Sequence, residues 1–324
     1  MKNNLIFCFL LTIVMVLNIY AQEPVTGLRP IDLFAESIKG LRSSDPIIQR
    51  KSIEVLTQLR DTRAIPNLIE VATNVKNNVF IRTSAIDSLG ILHSKEATEI
   101  LCKLIIEDKE PQIRQQAAVS LGYIGDKSSI PYLIKGIDDP HDGTKYASIQ
   151  TLGLIRSTEA IPSLISHLKN DNVNMRRSIL NALGMIGDKS AAKFIRELLK
   201  DNNDTVRSEA ARTLGLLNDK ESIPDLKELL KDKDITVSII AANALAKLDD
   251  NSGLDIAIKN INNKEDYLRI VCIETLGLIG DRKYIPILEK YLSDTNSQIK
   301  QTAQYSIDII KSKYPEKKKS GLKK

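Results

Sequence analysis

Tryptophan is absent from this chain, and its 324 residues include only five phenylalanines, three histidines and three cysteines. So thin an aromatic content excludes a site built on stacked aromatic platforms and suits helices packed through Leu, Ile and Ala. No histidine precedes a glutamate: His93 is followed by Ser94, His141 by Asp142 and His167 by Leu168. A metal cluster needs imidazoles and carboxylates gathered together, and these lie far apart in sequence. Cys8 sits near the start of an apolar run, where a lipid attachment site would not fall, and Cys102 and Cys272 have no zinc-site spacing. No cofactor or metal site is expected.

Long apolar runs are also missing. The longest, residues 5–17, is interrupted by Thr12 and counts thirteen residues, short of the roughly 20 needed to span a bilayer. With Lys2 before it and the small Ala21 after it, this run predicts a signal peptide over residues 1–21, the alternative being an uncleaved membrane anchor. Export to the periplasm or cell envelope follows, with the mature chain beginning near Gln22. A strong positive field is lacking too, despite the formal +5. The stretch from Lys311 onward holds seven Lys and one Glu, and Lys2 adds one more charge, so residues 22–310 carry −2. Phosphate binding would require a basic surface, so no nucleic-acid partner is expected.

What the chain does have is a period. An apolar marker recurs at Leu56, Leu89, Leu121, Leu152, Leu183, Leu214, Leu245, Leu276 and Ile307, at intervals of 33, 32 and then six of 31. Self-similarity in this range means stacked supersecondary units that cannot bury their apolar faces alone. Eight residues before the marker stand Ile81, Ile113, Val206 and their equivalents; four before it Ala85, Ala117 and Ala210; three after it Leu92, Ile124 and Leu217. Those offsets trace one face of a helix. A glycine follows the marker at Gly90, Gly122, Gly153, Gly184, Gly215 and Gly277, which lets a neighbouring backbone approach closely.

Four residues past the marker, Gly125, Gly187, Gly280, Asn218, Asp249 and His93 are suited to the left-handed conformation that ends a helix. Arg60, Arg156 and Lys311 occupy the same place, so those turns are expected to close differently. Pro66, Pro131, Pro162, Pro224 and Pro286 then open another helix, where no amide donor is needed. Each unit is thus two antiparallel helices. Cys102 and Cys272 fall five units apart, about 40–50 Å at roughly 8–10 Å per layer, far beyond the ~7 Å reach of a disulfide.

The phrases "IPYLIKGIDDP", "VRSEAARTLGLLND" and "LRIVCIETLGLIGDRKYIPIL" resemble HEAT repeats, in particular the short variety named after phycobilisome lyase subunits. The resemblance covers about residues 31–312, between a linker at 22–30 and a basic, disordered tail at 313–324. It implies an all-α, right-handed α-solenoid of eight to nine helix pairs, with the second helices lining the concave side. The family includes scaffolds, cofactor-attachment proteins and a few enzymes. Deoxyhypusine hydroxylase, also a HEAT-repeat protein, holds two irons with adjacent His-Glu pairs, which this chain lacks. No bilin-handling groove is legible either. The expectation is an exported, non-catalytic scaffold that binds a protein partner; the alternative is a cofactor-attachment or maturation enzyme subunit of the phycobilin-lyase type.

Three further readings bear on the working surface. A basic column seven before the marker (Arg82, Arg114, Lys145, Arg176, Arg207, Arg269, Lys300) follows an acidic or amide column six residues earlier (Asp108, Asp139, Asn170, Asp201, Asp232, Asn263, Asp294). This reads as an internal ladder of exposed pairs that fixes the inter-helix turn, or else as a ridge facing a partner. The stretch "DDPHDGTKYAS", with Thr144 at an apolar position, reads as a loosened turn or a recognition loop. The tail reads as a solubilising end or a contact for an anionic envelope surface. Finally, the column two before the marker varies in charge and size as a surface freed from packing should. From it Gln150, Asn181, Arg212, Asn243, Glu274 and Tyr305 are the candidate partner-binding residues.

Overall fold

A computed structural model describes residues 30–313, so the expected signal peptide, the expected linker except Pro30 and the expected tail except Lys313 lie outside the described residues. Nine helix pairs follow one another, with no strand among the described residues. Unit 1 pairs Pro30–Gly40 with Pro46–Leu59; unit 5 pairs Ile161–Ser166 with Val173–Ile186; unit 9 pairs Ile285–Glu289 with Ser297–Lys313. First helices are short and open on proline at Pro66, Pro131, Pro162, Pro224 and Pro286. Second helices run 13 or 14 residues in units 1–8 and stack on one another. No helix is long and apolar enough to cross a membrane among the described residues.

All nine markers are buried. The close approach predicted from the glycines is met by the residue one before the next marker. Gly90 faces Ser120, Gly122 faces Thr151, Gly184 faces Thr213 and Gly277 faces Ser306. The facing hydroxyls donate to carbonyls of the preceding unit: Ser120 Oγ to Ile86 at 2.9 Å, Thr151 Oγ1 to Ala118 at 2.9 Å, Ser306 Oγ to Ile273 at 3.2 Å. A methyl added at Gly277 would lie 2.8 Å from Ser306 Cα. Gly277→Ala should therefore cost about 1–3 kcal/mol through overpacking, read as a lowered midpoint in thermal unfolding.

The turns correct one expectation. Arg60 (φ 50) and Arg156 (φ 53) adopt the same left-handed conformation as His93, Asn218, Asp249 and the three glycines. The turn geometry is common to the repeat and is imposed on whatever residue stands there; only Lys311 departs, because its helix runs on to Lys313.

The charged columns form a ladder, but between units and under cover. Arg114 Nε and Nη2 reach Asp139 at 2.6 and 2.9 Å, Arg207 Nε and Nη2 reach Asp232 at 2.7 and 2.8 Å, Arg176 reaches Asp201 at 2.9 Å and Arg269 reaches Asp294 at 3.0 Å; Arg82 meets Asp108 likewise. Each partner belongs to the next unit. The spare Nη1 of Arg114, Arg176 and Arg207 donates to the carbonyl six residues before it. Each acid also accepts the amide two residues on, as Asp232 does from Asp234 at 2.9 Å. The side chains of Arg207 and Asp232 are only 9% and 8% exposed, so the pairs are not the exposed ones expected.

Three junctions lack the ladder pair. Between units 1 and 2, Gln49 stands in the basic column and its Nε2 donates to the Leu41 carbonyl at 3.1 Å. Between units 4 and 5, Lys145 turns to Asp142 on its own helix and Asn170 caps its own turn; His167 Nε2 and Asp138 Oδ1, 2.9 Å apart, bridge the units instead. Between units 7 and 8 both members are neutral, Ser238 and Asn263. The stretch around Pro140 is neither loosened nor a protruding loop. Asp139 joins the ladder and caps His141 at 2.8 Å, and Thr144 is fully buried.

Candidate functional site

The exposed side of the second helices is the surface that packing leaves free. Residues four, seven and eleven apart along a helix fall on one face, so the variable column two before the marker shares that face with the columns nine before it and two after it. Gln150, Asn181 and Tyr305 are exposed there, and Arg212 and Glu274 are half-buried.

Of this column, Asn181 lines a depression in the face. Tyr146, Asn174, Arg177, Ser178, Asn181 and Glu209, from units 4 to 6, line a polar depression of about 340 Å³. Arg212 does not line it but pairs with Glu209, which does, at 3.6 Å on its own helix. Its guanidinium also lies over the Tyr267 ring, 5.4 Å from the centroid, and bonds the Tyr267 hydroxyl. That contact passes over unit 7, whose second helix is covered at Ile239, Ala242 and Ala246.

Asn243 is a correction. It is 6% exposed, and its Nδ2 donates to Glu274 Oε2 at 3.2 Å and Thr275 Oγ1 at 3.1 Å. The small residues of unit 7 let its neighbours close over it, so it ties units 7 and 8 together and offers nothing to a partner. Glu274 is held by Asn243 and by Lys247 at 3.3 Å. Tyr305 stands apart in unit 9. Toward the other end, Asp87 accepts Gln116 Nε2 at 3.0 Å; burial pushes its carboxyl above the usual range and that bond opposes the rise.

Other candidate chemistry does not gather. Among the described residues no group of three His, Cys, Asp or Glu could hold a metal ion. His93 Nδ1 meets the Tyr123 carbonyl at 2.6 Å and ends its helix, as expected. Cys102 and Cys272 are free and buried, and burial pushes their thiols up to about 11 and about 12.

Sequence reading overlooked one column of this face. Two after the marker stand Ile91, Tyr123, Leu154, Met185 and Leu216, and four of the five are 40–49% exposed. The signal was available: an apolar residue in five consecutive units at an offset that faces away from the marker.

Stacked helix pairs with a common register define the chain as a helical-repeat protein. The HEAT-repeat model matches residues 35–122, 81–147, 98–183, 130–211 and 192–269, and the PBS lyase HEAT-like repeat matches 268–294. This chain belongs to the HEAT-repeat family. A deoxyhypusine hydroxylase of Gibberella zeae is 30% identical over 83 residues, 26% of this chain and 25% of that protein; the chain spans about a quarter of the length of this curated relative. Among solved structures, a mutant of Kap121p is 14% identical with a TM-score of 0.50, covering 90% of this chain and 42% of that one. The complex of CpcE and CpcF of phycocyanin lyase from Nostoc sp. PCC7120 is 20% identical with a TM-score of 0.42, covering 90% and 97%. The expectation that the chain is not an enzyme is overturned by the match to a deoxyhypusine hydroxylase.

Proposed function

We propose that this chain is an exported HEAT-repeat scaffold that holds a partner polypeptide along the exposed face of its second helices. The observation that carries the reading is the depression spanning units 4 to 6, whose lining side chains are exposed or half-buried and are not needed for stacking. Solenoids of this kind bind through extended surfaces of stacked units. Export rests on the apolar run of residues 5–17 and the small Ala21. The basic tail then serves as a second contact, for an anionic envelope surface.

A photo-crosslinking side chain placed at Gln150 or Asn181 should give discrete adducts in the native envelope, while one at Glu228 on a first helix should give none. Adducts from Glu228 alone would place the working surface on the other side. A second reading, in which the captured polypeptide is chemically modified, draws on the hydroxylase relative. A mass change in the captured partner that depends on this chain decides it.

A further inference from the structure

The apolar column two after the marker recurs in consecutive units, and two of its residues lean on the unit before them. The Met185 methyl lies where a Cβ on Gly153 would point, 2.5 Å away, and Leu216 Cδ1 is 3.5 Å from the equivalent point on Gly184. Tyr123, Leu154, Met185 and Leu216 share one register on stacked second helices, an apolar strip across units 3 to 6 that steps about 8–10 Å per helix, with Tyr123, Leu154 and Leu216 exposed. Next to it on the same face, Gln115, Gln150, Asn174 and Asn181 are exposed. Among the described residues none of these four side-chain amides makes a hydrogen bond. Arg177, exposed on the wall of the depression, has no acidic partner among the described residues, whereas nearby Arg212 is paired with Glu209.

Those three features select an occupant. A helix or a paired strand satisfies its own main chain and has no use for a row of free amides. A polyproline II segment has no internal hydrogen bonds, and it repeats the same face every third residue at about 9 Å, which matches the step of the strip. Free amides offer both a donor and an acceptor to such a main chain, and a lone guanidinium favours a carboxylate.

We propose that the strip takes a polyproline II segment of the partner, with an aliphatic residue at every third position and one carboxylate seated on Arg177. This rests on the proposed scaffold reading and names the partner's chemistry. The probe is a fluorescent 12-residue peptide with Leu at positions 1, 4, 7 and 10, Pro and Ser between them and one Glu beside the third Leu, titrated by anisotropy into the full chain. Exchange of its Glu for Lys should weaken binding at least tenfold, and Arg177→Gln should abolish that difference. Leu154→Ser combined with Leu216→Ser should weaken both peptides, with the circular dichroism spectrum unchanged. Equal binding of the Glu and Lys peptides, a difference that survives Arg177→Gln, or tighter binding of a peptide with Leu at every second position would overturn the proposal. If crosslinks from Gln150 still form while the probe fails, the scaffold reading stands and this one falls; if those crosslinks are absent, both fall.

Discussion

Arg207→Ser should destabilise the protein by about 3–5 kcal/mol, because it leaves the Asp232 carboxylate buried without its cation. The chain itself shows the remedy. Between units 7 and 8 the same two positions are Ser238 and Asn263, and Asn263 still accepts the amide of Glu265 at 2.9 Å. Combining Arg207→Ser with Asp232→Asn should therefore recover most of the loss, since the turn keeps its cap and no charge is stranded. A double-mutant cycle in urea measures this; a double variant as unstable as the single one would show that the guanidinium's bonds to the Asp201 and Asn202 carbonyls matter more than the pair. The Arg207 hydrogen bond holds Asp232 below the usual carboxylate range. A depressed folded-state value gives stability that is complete above the unfolded value of about 4 and is lost as the pH falls through the folded one. The gap between wild type and Arg207→Ser should therefore close in acid and be unchanged between pH 6 and 8.

Leu214→Ala should cost about 2–5 kcal/mol through lost burial and a residual cavity. Leu214 is fully buried in the sixth of nine units, with neighbours that touch it only from units 5 and 7 in a stacked architecture. Damage there should divide the unfolding, so that the two ends melt at separate midpoints. The same substitution at Ile307, in the last unit, should shorten the cooperative block without splitting it. A single transition at the wild-type midpoint for Leu214→Ala would contradict the packing described.

Much of this was legible because a period turns one residue into nine observations. The marker, the small column, the glycine after the marker and the prolines each recur, and each has one physical explanation. The wiring of the ladder was not legible for the same reason. An acid six residues before Arg207 and another twenty-five after it differ by one period, and a repeating sequence cannot say which one the arginine reaches. Asn243 was misread through the opposite effect. Its burial goes with a local departure, Ala246 where six other units have glycine together with Ile239 and Ala242 beside it, and a column averaged over nine units conceals such a departure. Arg60 and Arg156 show tertiary stacking overriding a residue's own preference, at a strain of roughly 1–2 kcal/mol for a left-handed position. The apolar strip could have been seen, since Ile91, Tyr123, Leu154, Met185 and Leu216 are as regular as the core.

Because each arginine takes its carboxylate from the following unit, every junction of that kind presents the same socket and the same plug. Excision of residues 190–220, one whole period, would leave Arg176 facing Asp232 where it now faces Asp201. A duplication of one period would extend the chain in the same way. Length is thus adjustable in steps of a unit during evolution, whereas an insertion of a few residues inside a unit would strand two charges at once. The three neutral or mismatched junctions do not obey this interchangeability, and they mark where the array has ceased to be a string of equivalent copies.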